Sequence, residues 1–97
     1  MNLPDQNPPA IRHDAAAHRF EVVVDDYTSV LDYELDGDRV IFTHTFVPPE
    51  LRGRGVAEKL VRAGLAWAAS EKKRFVPACS YVSAFIQRHA EFQSLVA

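Results

Sequence analysis

The sequence predicts an α+β domain built on a mixed, largely antiparallel sheet with one long and one short helix. Three features lead to this prediction: three strand-like runs joined by turn signals in the first half, a long amphipathic helix in the second, and a short strand after that helix. A chain of 97 residues fits one domain, and 47% hydrophobic with 25% charged residues is typical of a soluble globular protein.

The first two strands follow from alternation of side-chain type. The run from Arg19 to Asp25 is rich in β-branched residues, and the Asp25-Asp26 pair predicts a turn after it. The second strand has one apolar and one acidic face, which indicates a sheet with one wet side. Its apolar residues are Leu31, Tyr33 and Leu35, and they alternate with Asp32, Glu34 and Asp36.

A hairpin is predicted next, because Asp36-Gly37 suits the two central positions of a type I′ turn. The third strand then runs antiparallel from about Arg39 to Val47 and ends before Pro48-Pro49, since proline cannot donate to a ladder. Period-two alternation places four of its side chains on one face: Val40, Phe42, His44 and Phe46.

A long helix is predicted from about Val56 to Lys72. One apolar stripe with helical spacing contains Ala57, Leu60, Val61, Gly64, Leu65, Ala68 and Ala69. A strand at Phe75–Cys79 follows, and then a short helix with apolar positions Val82, Phe85, Ile86 and His89 and with Ser80 or Ser83 as N-cap. Residues 1–12, with three prolines, are predicted to be a flexible leader to a domain at 13–97.

Composition excludes several classes of function. A net charge of -2 gives no basis for nucleic-acid binding, and the single cysteine precludes an internal disulfide. Four scattered histidines and Cys79 have no metal-ligand spacing, so no metal is expected. The sequence contains no apolar run of membrane-spanning length and no signal peptide, so we expect a cytoplasmic protein without membrane contact.

The segment Arg52-Gly53-Arg54-Gly55-Val56-Ala57 lies between a strand and the first turn of the long helix. Helix N-termini present unpaired N–H groups and a partial positive charge, and glycines allow an anion to approach the backbone closely. Two arginines add forked donors, so a diphosphate is the predicted ligand. By itself, a Gly-Arg-Gly turn is also compatible with a flexible loop bearing solvated arginines.

This segment matches the Gln/Arg-x-x-Gly-x-Gly/Ala signature of the GNAT superfamily through Arg52, Gly55 and Ala57. The chain resembles more narrowly the small GNAT-like N-acetyltransferases of the YjdJ type, over about Phe20 to Phe92. That resemblance also rests on His44-Thr45-x-Val47-Pro48 and on Pro77-x-Cys79-Ser80-Tyr81-Val82.

The resemblance implies a minimal GNAT fold that binds acetyl-CoA as acetyl donor. The pantetheine arm would lie between two splayed parallel strands at about 40–47 and 75–79. The implied cofactor-binding residues are Val47, Arg52, Gly53, Arg54, Gly55, Val56 and Ala57. The amine acceptor, a small molecule or a protein, is not specified by the sequence, and a monomer or weak homodimer is expected.

Three residues are candidates for catalysis. Tyr81 resembles in placement the tyrosine that serves GNAT enzymes as acid, Cys79 would accept the acetyl group as a nucleophile, and His44 would be its base. Each also has a structural interpretation, as a packed tyrosine, a small buried thiol or a core histidine. His89 is interpreted as structural, and His13 and His18 as surface residues. The alternative to an N-acetyltransferase is a catalytically silent acyl-CoA-binding sensor or interaction module.

Overall fold

The hairpin-connected strands form most of a five-stranded sheet in the computed structural model, which describes residues 10–97. The strands are β1 (Arg12–Asp14), β2 (Arg19–Val24), β3 (Tyr27–Asp36), β4 (Arg39–Phe46) and β5 (Arg74–Pro77), in that order across the sheet. The helices are α1 (Val56–Ser70) and α2 (Ser80–Arg88), with short 3-10 helices at Pro49–Leu51 and Ala90–Leu95. Only β4 and β5 are parallel, so the predicted mixed, largely antiparallel α+β fold is confirmed.

The β2–β3 turn lies at Asp25-Asp26, as predicted, and the β3–β4 turn differs from its prediction. Asp25 and Asp26 both have positive φ, 52° and 67°, which is the type I′ pattern. In the β3–β4 turn the central residues are Gly37 and Asp38, because Asp36 pairs with Arg39. Only Gly37 has positive φ there, at 60°, which is the type II′ pattern. The predicted type I′ turn at Asp36-Gly37 is therefore wrong in type and by one residue in position.

Strand β1 was not predicted from the sequence. Its central residue, His13, stacks on Phe20 with ring centroids 4.1 Å apart, and its Nε2 lies 2.7 Å from the Tyr33 hydroxyl oxygen. His13 is half-buried, so its prediction as a surface residue is wrong. The predicted boundary between leader and domain falls inside this strand, and residues 1–9 of the leader lie outside the described residues.

Helix α1 packs its apolar stripe on the sheet, as the spacing predicts, with Leu60, Val61, Leu65 and Ala68 fully buried. The helix ends at Ser70, two residues before the predicted end, because Lys72 adopts a left-handed φ of 58°. The Lys73 N–H donates to the Ala68 carbonyl at 2.9 Å and the Lys72 N–H to the Ala69 carbonyl at 3.0 Å. These two bonds form a Schellman C-cap and satisfy the last carbonyls.

A β-bulge interrupts the pairing of β3 with β4. Tyr33 pairs with Phe42 and Asp32 pairs with His44, so Thr43 is the extra residue on β4. Thr43 and His44 are both exposed, while Thr45 lies opposite the buried Leu31. The prediction that His44 and Phe46 share a face with Val40 and Phe42 is wrong, because the bulge moves both to the outer face and turns Thr45 inward.

The junction of β5 and α2 also differs from the prediction. β5 ends at Pro77, which has no N–H with which to continue a ladder. The Cys79 N–H donates instead to the Phe42 carbonyl at 2.8 Å, and Cys79 occupies the N-cap position of α2. Cys79 is thus not a strand residue, and neither Ser80 nor Ser83 is the N-cap of α2.

Candidate functional site

An open groove of about 470 Å³ runs between the end of β4 and the start of α1. Six of the seven predicted cofactor-binding residues line it, together with Tyr81. The predicted residues in its lining are Val47, Arg52, Gly53, Gly55, Val56 and Ala57, and the lining residues that the sequence did not single out are Thr45, Phe46 and Leu51. The groove therefore joins the segment predicted to bind anions to the first turn of α2, which carries Tyr81.

One end of the groove is the N-terminus of α1. Gly53 and Gly55 have φ values of 80° and 76°, in the left-handed region that glycine adopts without steric cost. Apart from the glycine itself and its two neighbours in the chain, no atom of residues 10–97 lies within 4 Å of the position that a Cβ would occupy at either glycine, so the backbone there is open to a ligand. Within the same residues no side chain caps α1, and its first N–H groups have no side-chain acceptor.

The two arginines of this turn have different partners. Arg52 lines the groove, and its Nε donates to the Val47 carbonyl at 3.2 Å, while among residues 10–97 its terminal guanidinium nitrogens have no hydrogen-bond acceptor. Arg54 does not line the groove, and its Nη1 lies 3.1 Å from Oδ2 of Asp25 in the β2–β3 turn. Arg52 is therefore the cation presented to an anion at this end of the groove.

The other end of the groove lies where the two parallel strands separate. β5 pairs with β4 only from Arg39 to Phe42, and the bulge at Thr43 follows directly. From Thr43 to Phe46, β4 has no strand beside it on the β5 side within the described part of the chain. An extended ligand with amide groups fits such an edge, because it can supply the missing backbone partners.

Cys79 lies next to this open edge. Its Sγ is 3.4 Å from the Thr45 hydroxyl oxygen, and either atom can donate. Burial raises the pKa of the thiol, but hydrogen bonding from the Thr45 hydroxyl and from the backbone N–H groups of Val82 and Tyr81 outweighs it, so the pKa lies below its ordinary value. The N–H groups of Tyr81 and Val82 favour the thiolate, although the Cys79 side chain does not form an N-cap hydrogen bond that meets the usual geometric limits. Hydrogen bonding from Thr45 and from the backbone therefore favours the thiolate form of Cys79.

The other two predicted catalytic residues are placed differently from each other. Tyr81 is half-buried in the first turn of α2 and lines the groove beside Thr45. His44 is exposed on the outer face of β4, opposite Asp32. The structure therefore brings Cys79, Tyr81 and Thr45 together and leaves His44 apart, and the predicted support of Cys79 by His44 loses its geometric basis.

Residues 19–95 match the family model of the GCN5-related N-acetyl-transferase. This match covers most of the chain, including the groove and the cysteine beside it. The chain belongs to the GCN5-related N-acetyltransferase (GNAT) family. It is a GNAT-type acyltransferase by family and fold, and GNAT enzymes use acetyl-CoA and an acceptor.

The chain is also similar to curated proteins and to a solved structure. The chain is 33% identical to Protein NATD1 of Bos taurus over 90 residues, which are 89% of this chain and 80% of that protein. It is 30% identical to Protein NATD1 of Mus musculus, over 90% of this chain and 82% of that one. A GCN5-like protein of Staphylococcus aureus solved by NMR superposes with a TM-score of 0.72 at 22% identity, over 91% of this chain and 87% of that chain, and so shares the fold.

Two further observations concern residues 10–97 alone. Neither helix in this range is long and apolar enough to cross a membrane. No group of three or more His, Cys, Asp or Glu side chains there is arranged to hold a metal ion.

Proposed function

We propose that this GNAT protein transfers an acetyl group from acetyl-CoA to an amine acceptor. The observation that carries the proposal is the groove, because it connects an uncapped helix N-terminus with an open strand edge and ends beside a half-buried cysteine and tyrosine. These three features match the anionic, amide-bearing and thioester parts of acetyl-CoA in the order in which that molecule presents them.

The diphosphate would bind at the turn before α1. Its oxygens would accept hydrogen bonds from the open N–H groups of the Gly53–Ala57 segment, and the helix dipole adds a favourable partial charge. Arg52 supplies the forked cationic donor, because its Nε is anchored to the Val47 carbonyl while it lines the groove. The pantetheine amides would pair with the free edge of β4 between Thr43 and Phe46.

Two routes of transfer are compatible with the residues at the far end. In the direct route the neutral amine attacks the thioester carbonyl and the C–S bond breaks. Tyr81 protonates the leaving thiolate, and water carries the proton that the nitrogen loses back to Tyr81. In the covalent route the Cys79 thiolate attacks the carbonyl, the C–S bond to coenzyme A breaks, and Tyr81 protonates the coenzyme A thiolate that leaves. The amine then attacks the resulting acetyl-Cys79, which releases the Cys79 thiolate, and water carries the proton of the nitrogen back to Tyr81. The lowered pKa of Cys79 supports the second route.

Intact mass spectrometry separates the two routes. Wild type and Cys79→Ala are mixed with acetyl-CoA without an amine, desalted and weighed. A gain of about 42 Da, one acetyl group, in wild type only indicates the covalent route. No gain in either protein, together with release of free coenzyme A when an amine is added, indicates direct transfer.

Binding is tested separately with Gly55→Val. A β-branched side chain at a φ of 76° costs roughly 1–2 kcal/mol or forces the turn to change, so we expect acetyl-CoA affinity to fall by about tenfold or more. Gly37→Val is the matched control, since Gly37 also has positive φ and open space but lies in the β3–β4 turn. Equal affinity in both variants would contradict the proposed diphosphate site. If the protein binds acetyl-CoA but releases no coenzyme A when any amine is added, it is a silent acyl-CoA-binding protein instead.

A further inference from the structure

The ion pair between Arg54 and Asp25 links the predicted anion-binding turn to the β2–β3 hairpin. Arg54 lies between Gly53 and Gly55, which both line the groove, yet its own side chain extends away to Asp25. The cation in the middle of the anion-binding segment is thus held by a carboxylate of the protein itself.

The geometry of this pair shows that it is incomplete. Only one contact joins the two groups, from Nη1 of Arg54 to Oδ2 of Asp25 at 3.1 Å, whereas a guanidinium and a carboxylate can form two parallel hydrogen bonds. The side chains are 50% and 68% exposed, and exposed ion pairs of this kind contribute little to stability. The diphosphate of coenzyme A as a whole has more negative charge and more acceptor oxygens than a carboxylate, so it would compete effectively for Arg54.

The backbone around Arg54 allows such an exchange. The glycines on both sides have left-handed φ values and open space around them, so the turn can adjust its path without a steric clash. Asp25 is fixed more firmly, because it is a central residue of a type I′ turn between two paired strands.

We infer that Asp25 is a positioning residue that competes with the phosphates of the donor for Arg54. In the free protein Asp25 holds Arg54, and on binding Arg54 moves from the Asp25 carboxylate to a phosphate oxygen. The Asp25–Arg54 ion pair would therefore set the affinity for the anionic end of the ligand without contacting the reacting atoms. This inference rests on the proposed function, because it requires that coenzyme A binds at the Arg52–Ala57 turn.

Asp26 provides a matched control for Asp25. Both residues are central to the same turn, both have positive φ, and Asn tolerates that conformation. Among the described residues only Asp25 forms an ion pair with Arg54. Asp25→Asn and Asp26→Asn therefore remove the same charge from the same turn, and the difference between them isolates the ion pair.

Isothermal titration of coenzyme A and of pantetheine, which has no phosphate, tests the inference. We expect Asp25→Asn to tighten coenzyme A binding about two- to fivefold beyond the effect of Asp26→Asn, the range that an exposed ion pair supports. Pantetheine affinity should be unchanged in both variants. In an Arg54→Gln background the two Asp→Asn substitutions should have the same effect, because the competing cation is gone.

The contrary results are equally specific. Three results would each overturn the competition between Asp25 and phosphate. The first is equal coenzyme A affinity in Asp25→Asn and Asp26→Asn, and the second is weaker coenzyme A binding in Asp25→Asn. The third is a larger effect of Asp25→Asn than of Asp26→Asn that persists in the Arg54→Gln background. A wild-type protein that binds neither coenzyme A nor pantetheine would refute the proposed function itself, and the inference with it. Thermal melting of each variant confirms that the binding changes occur in folded protein.

Discussion

Gly64 offers the sharpest test of the packing between α1 and the sheet. A methyl group added at Gly64 would lie 2.7 Å from Cδ2 of Leu31 and 3.1 Å from Cε1 of Phe42. Leu31 and Phe42 are both fully buried, so any shift of either side chain has to be taken up by the surrounding core. Overpacking of this kind costs roughly 1–3 kcal/mol. Replacing a mid-helix glycine by alanine gains about 1 kcal/mol of helix propensity. We therefore expect Gly64→Ala to lower the free energy of unfolding by about 1 kcal/mol.

Urea denaturation followed by the fluorescence of Trp67, the single tryptophan, measures this change. Ala66→Gly is the control for helix propensity, because position 66 is exposed in the same helix, and it should cost about 1 kcal/mol. Leu31→Val should relieve part of the clash, so that the double variant with Gly64→Ala is less destabilised than the sum of the two single variants. A Gly64→Ala protein more stable than wild type would refute the close contact.

Three further predictions concern buried polar groups and the thiol. The Ser29 hydroxyl is fully buried and has no hydrogen-bond partner among the described residues, so Ser29→Ala should raise the free energy of unfolding by about 1 kcal/mol in urea titrations. Burial lowers the pKa of His13 below its ordinary 6.5. As the pH decreases, His13 is therefore protonated in the unfolded chain before it is protonated in the folded protein. The free energy of unfolding should fall as the pH decreases from 6.5 toward the lower folded-state pKa, and melting curves of His13→Gln should show a smaller dependence on pH. Thr45→Val removes a hydrogen bond that lowers the pKa of Cys79 and should slow its alkylation by iodoacetamide near neutral pH. Thr43→Val, on the outer face, should leave that rate unchanged.

The Gly53–Gly55 turn and the main elements could be predicted because their determinants are local. Gly53 and Gly55 are required by the left-handed backbone where the turn meets α1, and their neighbours in sequence are also their neighbours in space. The apolar stripe of α1 and the alternation in β3 likewise repeat within a few residues. For these features a short stretch of sequence contains the whole physical cause.

The errors arise where a distant partner decides the local structure. β1 contains Arg12, His13 and Asp14, which have little strand propensity, and it is held by the stacking of His13 on Phe20 and by its bond to Tyr33. The face of the sheet to which His44 and Thr45 point depends on how β4 pairs with β3, and the sequence of β4 alone does not specify this pairing.

The position of Cys79 was partly visible in the sequence. Pro77 has no N–H, so it indicates that the ladder of β5 ends there and that the following residues lead into a helix. Reading this signal would have placed Cys79 at the start of α2. Its contact with Thr45 depends on the bulge and could not have been predicted in the same way.

The extra residue in β4 can be removed without exchanging the two faces of the strand. Phe42 points inward, Thr43 and His44 both point outward, and Thr45 points inward again. A chain lacking Thr43 would alternate regularly and would still present Thr45 to Cys79 and His44 to solvent. Deletion of the Thr43 codon would therefore change the shape of the strand edge while the same side chains still line the groove.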